Sequence, residues 1–150
     1  LDFRATPAKW EPSPGNGRYR RGLYTWNWRL TPHPHTLLFD GPDGTKSCTC
    51  RNRTIVPTQA LTRLNDPMYF EAATALRDRL ARHSDLQLHI ESKQRVRQLY
   101  LWTLSRIPSE SEEKVLLELL AAEEFSGHPD RAWLAVCRVL LNLDELIVRP

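Results

Sequence analysis

Nothing in this 150-residue chain approaches the roughly 20 consecutive apolar residues that a membrane-spanning helix needs, so no membrane span is expected. Its three cysteines are too few for a disulfide scaffold, and their odd number leaves one over. CxxCH is absent, so this segment attaches no c-type haem of its own; GxSxG, HExxH and GxxxxGKS/T are absent as well. The opening LDFRATPAKW has neither the basic start nor the apolar middle of a signal peptide. It also lacks an initiator Met, as a mature protein or an excised fragment does, which leaves room for an export signal upstream. Glycine is scarce and uneven. Five of six glycines and seven of eleven prolines fall in the first 57 residues. Both are poor in helix interiors, which predicts loops, turns and short extended pieces there.

What is present divides at the same place. Residues 1 to 56 hold nine Lys/Arg against four Asp/Glu, and residues 57 to 150 hold 12 against 14. The basic residues are scattered among prolines and aromatics instead of lying along a helix face, so nucleic acid is not the expected partner. With 41% hydrophobic residues and five tryptophans the chain has material for a real core. One domain, residues 1–150, is expected, with an irregular layer over 1–56 packed on a helical array over 57–150.

The predicted fold is mainly α: four to five helices, with one or two short strands near Leu23 to Trp28 and Thr36 to Phe39, where strand formers cluster. PTQALTRLN starts at Pro57 and ends by Asn65. The next helix has Asp66 as its cap and Pro67 in its first turn, with Tyr69, Ala72, Ala73, Leu76 and Leu80 as its buried stripe. A third runs from about Glu91 to Ser105, with Val96, Leu99, Tyr100, Thr103 and Leu104 on one side and Pro108 stopping it. Ser109 and Glu112 form a capping box for the fourth, which continues to about Phe125. The last, capped by Asp130, is apolar around much of its girth and belongs in the centre; Cys137 inside it reads as a small hydrophobe.

Two constellations carry chemistry. His33, His35, Cys48 and Cys50 supply two imidazoles and two thiols, a set suited to tetrahedral zinc. The alternatives are a Cys48–Cys50 disulfide, or exposed histidines in a Pro-rich loop beside two small turn residues. His-x-His with Cys-x-Cys is an uncommon zinc spacing, and no cofactor is the expectation. The second constellation is Arg18, Arg20, Arg21, Arg29, Arg51 and Arg53 beside Tyr19 and Trp26. Guanidinium forks pair with carboxylates and phosphates and stack on rings, so Arg18, Arg21, Arg51, Arg53 and Trp26 are the candidate site for an anionic or sugar-acid ligand. The competing and favoured reading is structural, with arginines tying down carbonyls and helix ends of irregular chain. Asp40, Asp43 and Asp66 stand beside turn formers and read as turn and helix caps.

Five stretches in order resemble one family. RYRRGLYTWNWR is similar to its "RRSLYTFW", LLFDGPDGTKSC to "FDAPDRExC", and RNRTIVPTQALTRLNDPMYFEAA to "RRxRTNTPLQALxLLNDPxFxEAA". RVRQLYLWTLSRIPSESE is similar to "RIxxAFxxxLxRxPxxxE", and AWLAVCRVLLNLDELIV to the closing "LLNxxEF" segment. The family is a domain of unknown function, abundant in planctomycetes, at the C-terminal end of large proteins that also carry a cytochrome-c-like domain. The resemblance implies an exported or periplasmic setting and a partner surface on upstream domains of the same polypeptide. It brings no established activity. Only Cys48 falls at the family's Cys position, so the resemblance implies no family-wide zinc site.

Overall fold

The computed structural model describes residues 10–11, 13–24, 31–42, 49–50, 54–86, 91–125 and 129–148. Its chain divides into two compact units, Leu1–Val56 and Pro57–Pro150. Six α-helices occur among the described residues, and no strand.

In the first unit two 3-10 turns, Gly15–Tyr19 and Gly22–Tyr24, precede a five-residue helix α1, Pro34–Leu38. The strand expected over Thr36 to Phe39 is therefore corrected to the end of a helix. Pro34 sits at the start of α1, where its missing N–H costs nothing, and this local start signal outweighs the strand propensity of Thr36 and Phe39. The strand expected from Leu23 begins instead in the Gly22–Tyr24 turn, and residues 25–30 lie outside the described residues. Asp40 ends α1 in the left-handed region at φ 57°, and Gly41 N–H then bonds Thr36 C=O at 2.6 Å, the six-to-one closure of a Schellman turn. The Asp40 carboxylate in turn accepts from Thr54 N–H at 2.7 Å and Thr54 Oγ1 at 2.8 Å, closing the loop between them.

The second unit is the helical array. Its helices are α2 (Pro57–Asn65), α3 (Pro67–Leu86), α4 (Ser92–Leu104), α5 (Glu110–Phe125) and α6 (Pro129–Leu141), followed by a 3-10 turn at Asp144–Leu146. Helix α6 packs against α3, α4 and α5, and α5 also packs against α4. The core is Ala73 and Leu80 of α3, Val96, Leu99 and Tyr100 of α4, Leu116 and Leu120 of α5, and Ala132, Val136, Cys137 and Leu140 of α6. Each large aliphatic side chain buried in this way contributes roughly 1.5–3 kcal/mol. Among the described residues no helix is long and apolar enough to cross a membrane.

The helix ends follow local chemistry. Asp66 accepts from Met68 N–H at 2.8 Å and so caps α3. Ser105, left-handed at φ 59°, ends α4, and buried Pro108 leads into the capping box. There Glu112 accepts from Ser109 N–H at 2.7 Å, and Ser109 Oγ accepts from Glu112 N–H at 3.3 Å. Two expectations are corrected. Ala72 is exposed, because the α3 stripe narrows to Tyr69, Ala73, Leu76 and Leu80. Asp130 lies within the first turn of α6, since Pro129 already begins that helix.

Helix α2 reverses the usual arrangement. Its buried residues are Gln59 and Arg63, one turn apart, while Leu61 is 60% exposed and Leu64 is exposed beside it. Leucine outside and arginine inside is the opposite of what burial of apolar area favours in an isolated domain.

Candidate functional site

The sequence-predicted arginine site is described in part. Arg18 lies over the Tyr19 ring at 4.9 Å and Arg21 over Tyr24 at 5.8 Å, all four side chains exposed. Trp26, Arg29, Arg51 and Arg53 lie outside the described residues. Along Arg18 to Tyr24 the chain therefore presents guanidinium groups stacked on phenol rings at its surface, a pattern that attracts anions.

The predicted metal ligands divide similarly. His33 and His35 are neighbours, with ring centroids 5.7 Å apart, in a row that runs from Trp10 (5.0 Å to His33) to Phe39 (6.3 Å from His35). Trp10 Nε1–H donates to Thr31 C=O at 3.1 Å and fixes one end of the row. Burial, and then the neighbouring His35 charge, lower the His33 pKa. Cys50 is exposed, and Cys48 lies outside the described residues. Among the described residues no group of three or more His, Cys, Asp or Glu side chains is placed to hold a metal ion.

Sequence reasoning missed the most strongly built polar site. Arg106, just past α4, donates through Nε to Glu145 Oε1 at 2.7 Å and through Nη2 to Glu145 Oε2 at 2.7 Å. It also donates through Nη1 to Glu112 Oε2 at 2.9 Å and through Nη2 to Glu112 Oε1 at 2.6 Å, with Nη1 reaching Ile107 C=O at 3.2 Å. These use every N–H of the guanidinium. Its bonds from Arg106 hold the Glu112 carboxyl down at about 2 and lower that of Glu145. Arg106 is raised in return, and its guanidinium lies 5.1 Å from the centre of the buried Tyr100 ring. The signal was available in the R-x-P-x-x-x-E spacing of Arg106, Pro108 and Glu112.

A second set of arginines ties helices together by their carbonyls. Arg63, buried on α2, donates to Leu143 C=O at 3.0 Å and Asp144 Oδ1 at 3.2 Å. Arg138 of α6 donates to Leu64 C=O at 2.8 Å, capping the end of α2, and lies over the Phe70 ring at 5.7 Å. Carbonyl-tying arginines were expected in the irregular layer; these examples lie in the helical unit. Arg79 at 4.3 Å and His83 at 5.3 Å flank the Trp102 ring, and Arg95 lies over Trp133 at 5.7 Å.

Beside these ties lies the exposed face of α2 and α3. Leu61 and Leu64 share one side of α2, and Met68 and Phe70 begin α3, all exposed. The Arg138 bond to Leu64 and its stacking on Phe70 join the two helices in a single surface. Cys137, by contrast, is fully buried, and burial pushes its thiol up to about 12, so it is no nucleophile.

These observations define an α-helical domain whose strongest polar groups are bound up in holding its helices and which exposes Leu61 and Leu64 on α2 and Met68 and Phe70 at the start of α3, as well as Ile107, Val115 and Phe125 elsewhere. Residues 2–120 match the family model PSD1, a protein of unknown function (DUF1553), and the chain belongs to that family. The match ends inside α5, so central α6 and Glu145 lie beyond it. No curated protein and no solved structure matches the chain.

Proposed function

We propose that this chain is a non-catalytic structural or interaction module that docks on the rest of a large exported, planctomycete-type polypeptide bearing cytochrome-c-like domains. The observation that carries the reading is the reversed α2, with Gln59 and Arg63 inward and Leu61 and Leu64 outward. An apolar face presented this way is stabilised only when something covers it, and contiguous patches of this kind mark interaction sites. The chemistry of the remaining groups agrees. Arg106, Glu112 and Glu145 saturate one another, and the Cys137 thiol is sealed in the core.

The test expresses the upstream part of the parent polypeptide separately and measures its binding to the 150-residue chain, with Leu61→Asp/Leu64→Asp as the variant. Exposed positions tolerate such changes within about 0.5 kcal/mol, so the variant is expected to fold and to lose binding. A folded variant that binds the upstream part as tightly as the parent chain sinks the proposal.

A second reading rests on the Arg18–Tyr19 and Arg21–Tyr24 stacks, which suit an anionic polysaccharide. Retention of polygalacturonate by the chain, lost in Arg18→Gln/Arg21→Gln, supports it; equal retention by both chains removes it.

A further inference from the structure

Helices α4 and α5 leave an open groove of about 460 Å³ between them, within the size range of small-molecule sites. Glu113, in the first turn of α5, lies beneath it with only 5% of its side chain exposed. Lys93 Nζ stands 2.9 Å from its Oε1, and Arg97 Nε donates to Oε2 at 3.1 Å. Both cations come from the first turns of α4, so a buried carboxylate on one helix fixes two cations on the other.

The geometry at Arg97 leaves binding capacity over. Nε serves Glu113, while Nη1 and Nη2 have no partner among the described residues, and the side chain is 47% exposed at the groove. A guanidinium held by Nε in this way offers its outer edge, already oriented, to a two-oxygen acceptor. Lys93, 53% exposed, adds a second positive charge on the same wall. Leu117 and Ala121, one turn apart on α5, supply an apolar stretch beside them. The rest of the lining limits the charge of a ligand. Glu110 and Glu118 also border the groove, and Lys114 lies 3.9 Å from Glu118. With three cations and three carboxylates around it, the groove disfavours polyanions and accepts a single negative charge placed on the α4 side.

We propose that the α4–α5 groove binds a monocarboxylate carrying a short apolar chain, the carboxylate on Arg97 and Lys93 and the chain along Leu117 and Ala121. This goes beyond docking through α2, because the two surfaces share no residue. A free short-chain acid and the C-terminus of an apolar peptide offer the same chemistry.

The test titrates the isotope-labelled 150-residue chain with hexanoate, acetate and hexylamine, following backbone amide shifts. Hexanoate is expected to shift amides in the first turns of α4 and over residues 113–121, saturating with a Kd of about 1–10 mM, as suits a small ligand in an open site. Acetate is expected to bind about tenfold more weakly, and hexylamine not at all. Arg97→Gln should weaken hexanoate about tenfold; because it also loses the Nε bond to Glu113, its binding is measured under conditions where amide spectra show the variant folded. Leu117→Asp should abolish binding by placing a carboxylate on the apolar stretch. Tighter binding of the acid Ala-Leu-Leu than of hexanoate, lost on amidating its C-terminus, supports a peptide source; the reverse ranking supports a free acid. Equal response to hexylamine, absence of saturable shifts, or unchanged binding by folded Arg97→Gln overturns the proposal and leaves Lys93, Arg97 and Glu113 as an interhelical brace.

Discussion

Arg106 and Glu145 meet through two parallel hydrogen bonds, Nε to Oε1 and Nη2 to Oε2, each 2.7 Å, across 39 positions of sequence. The same guanidinium grips Glu112, so one side chain fastens the end of α4 to the start of α5 and to the turn after α6. A planar fork is required for this, because a lysine ammonium cannot present two parallel N–H groups to each of two carboxylates.

Arg106→Lys is therefore expected to destabilise the chain although the charge is kept. The site is about one-third exposed, and water screens part of the effect, so the loss should be about 1–2 kcal/mol. Chemical denaturation at neutral pH measures it, and a midpoint equal to the parent chain would show that the clamp contributes nothing.

The clamp also sets a direction for acid sensitivity. Glu112 is held at about 2, below its ordinary 4.5, by Arg106 and by Ser109; Glu145 is lowered by Arg106, and Glu113 by Lys93 and Arg97. A carboxyl whose folded pKa lies below the unfolded one contributes stability fully above the unfolded value, and that contribution fades as pH falls toward the folded value. Stability should be level above about pH 5 and fall between pH 4.5 and about 2. Glu112→Gln should be less stable at pH 7 and show a shallower fall with acid. Denaturation midpoints at pH 7, 4.5 and 3 decide it; parallel curves for the two chains contradict the assignment.

Helix boundaries were legible because their signals are local. Pro57, Asp66 with Pro67, and the Ser109–Glu112 box each act within one turn, and α2, α3 and α5 begin where these residues place them. Core positions of α4 were legible for a similar reason, since Val96, Leu99 and Tyr100 repeat at the spacing of one helix face. The Arg106 clamp was visible as residues and hidden as a site, because Glu145 reaches it only through the packing of α6. Arg63 carried no signal at all: an arginine in an exposed-looking helix reads as surface until tertiary packing turns it onto Leu143 C=O. The strand expected at Thr36 failed because propensity was weighed without the start signal of Pro34.

The two described cysteines should separate by reactivity. Cys137 is fully buried, with its thiol at about 12, whereas Cys50 is exposed. Thiolate is the reacting form, so a maleimide at pH 7 should label Cys50 in the native chain and Cys137 only after denaturation. Peptide mapping by mass spectrometry reads this directly, and native labelling of Cys137 on the same timescale as Cys50 would show that the core around α6 opens.

Gly41 is held by space. An added Cβ would run into Thr36 Cγ2 and the Thr36 carbonyl, because Gly41 N–H closes onto that carbonyl at 2.6 Å. The preceding Asp40 already occupies the left-handed region and anchors Thr54, so the turn has little freedom to swing away. Gly41→Ala should cost about 1–3 kcal/mol locally, as overpacking does in tight sites. The expected signature is loss or displacement of the amide resonances of α1 and of Thr54. Adding Thr36→Ala removes the Cγ2 contact and leaves the carbonyl contact, so the double variant should recover only part of the loss. Full recovery would place the constraint on the Thr36 side chain alone, and an unperturbed Gly41→Ala spectrum would mean that the six-to-one closure does not hold the turn.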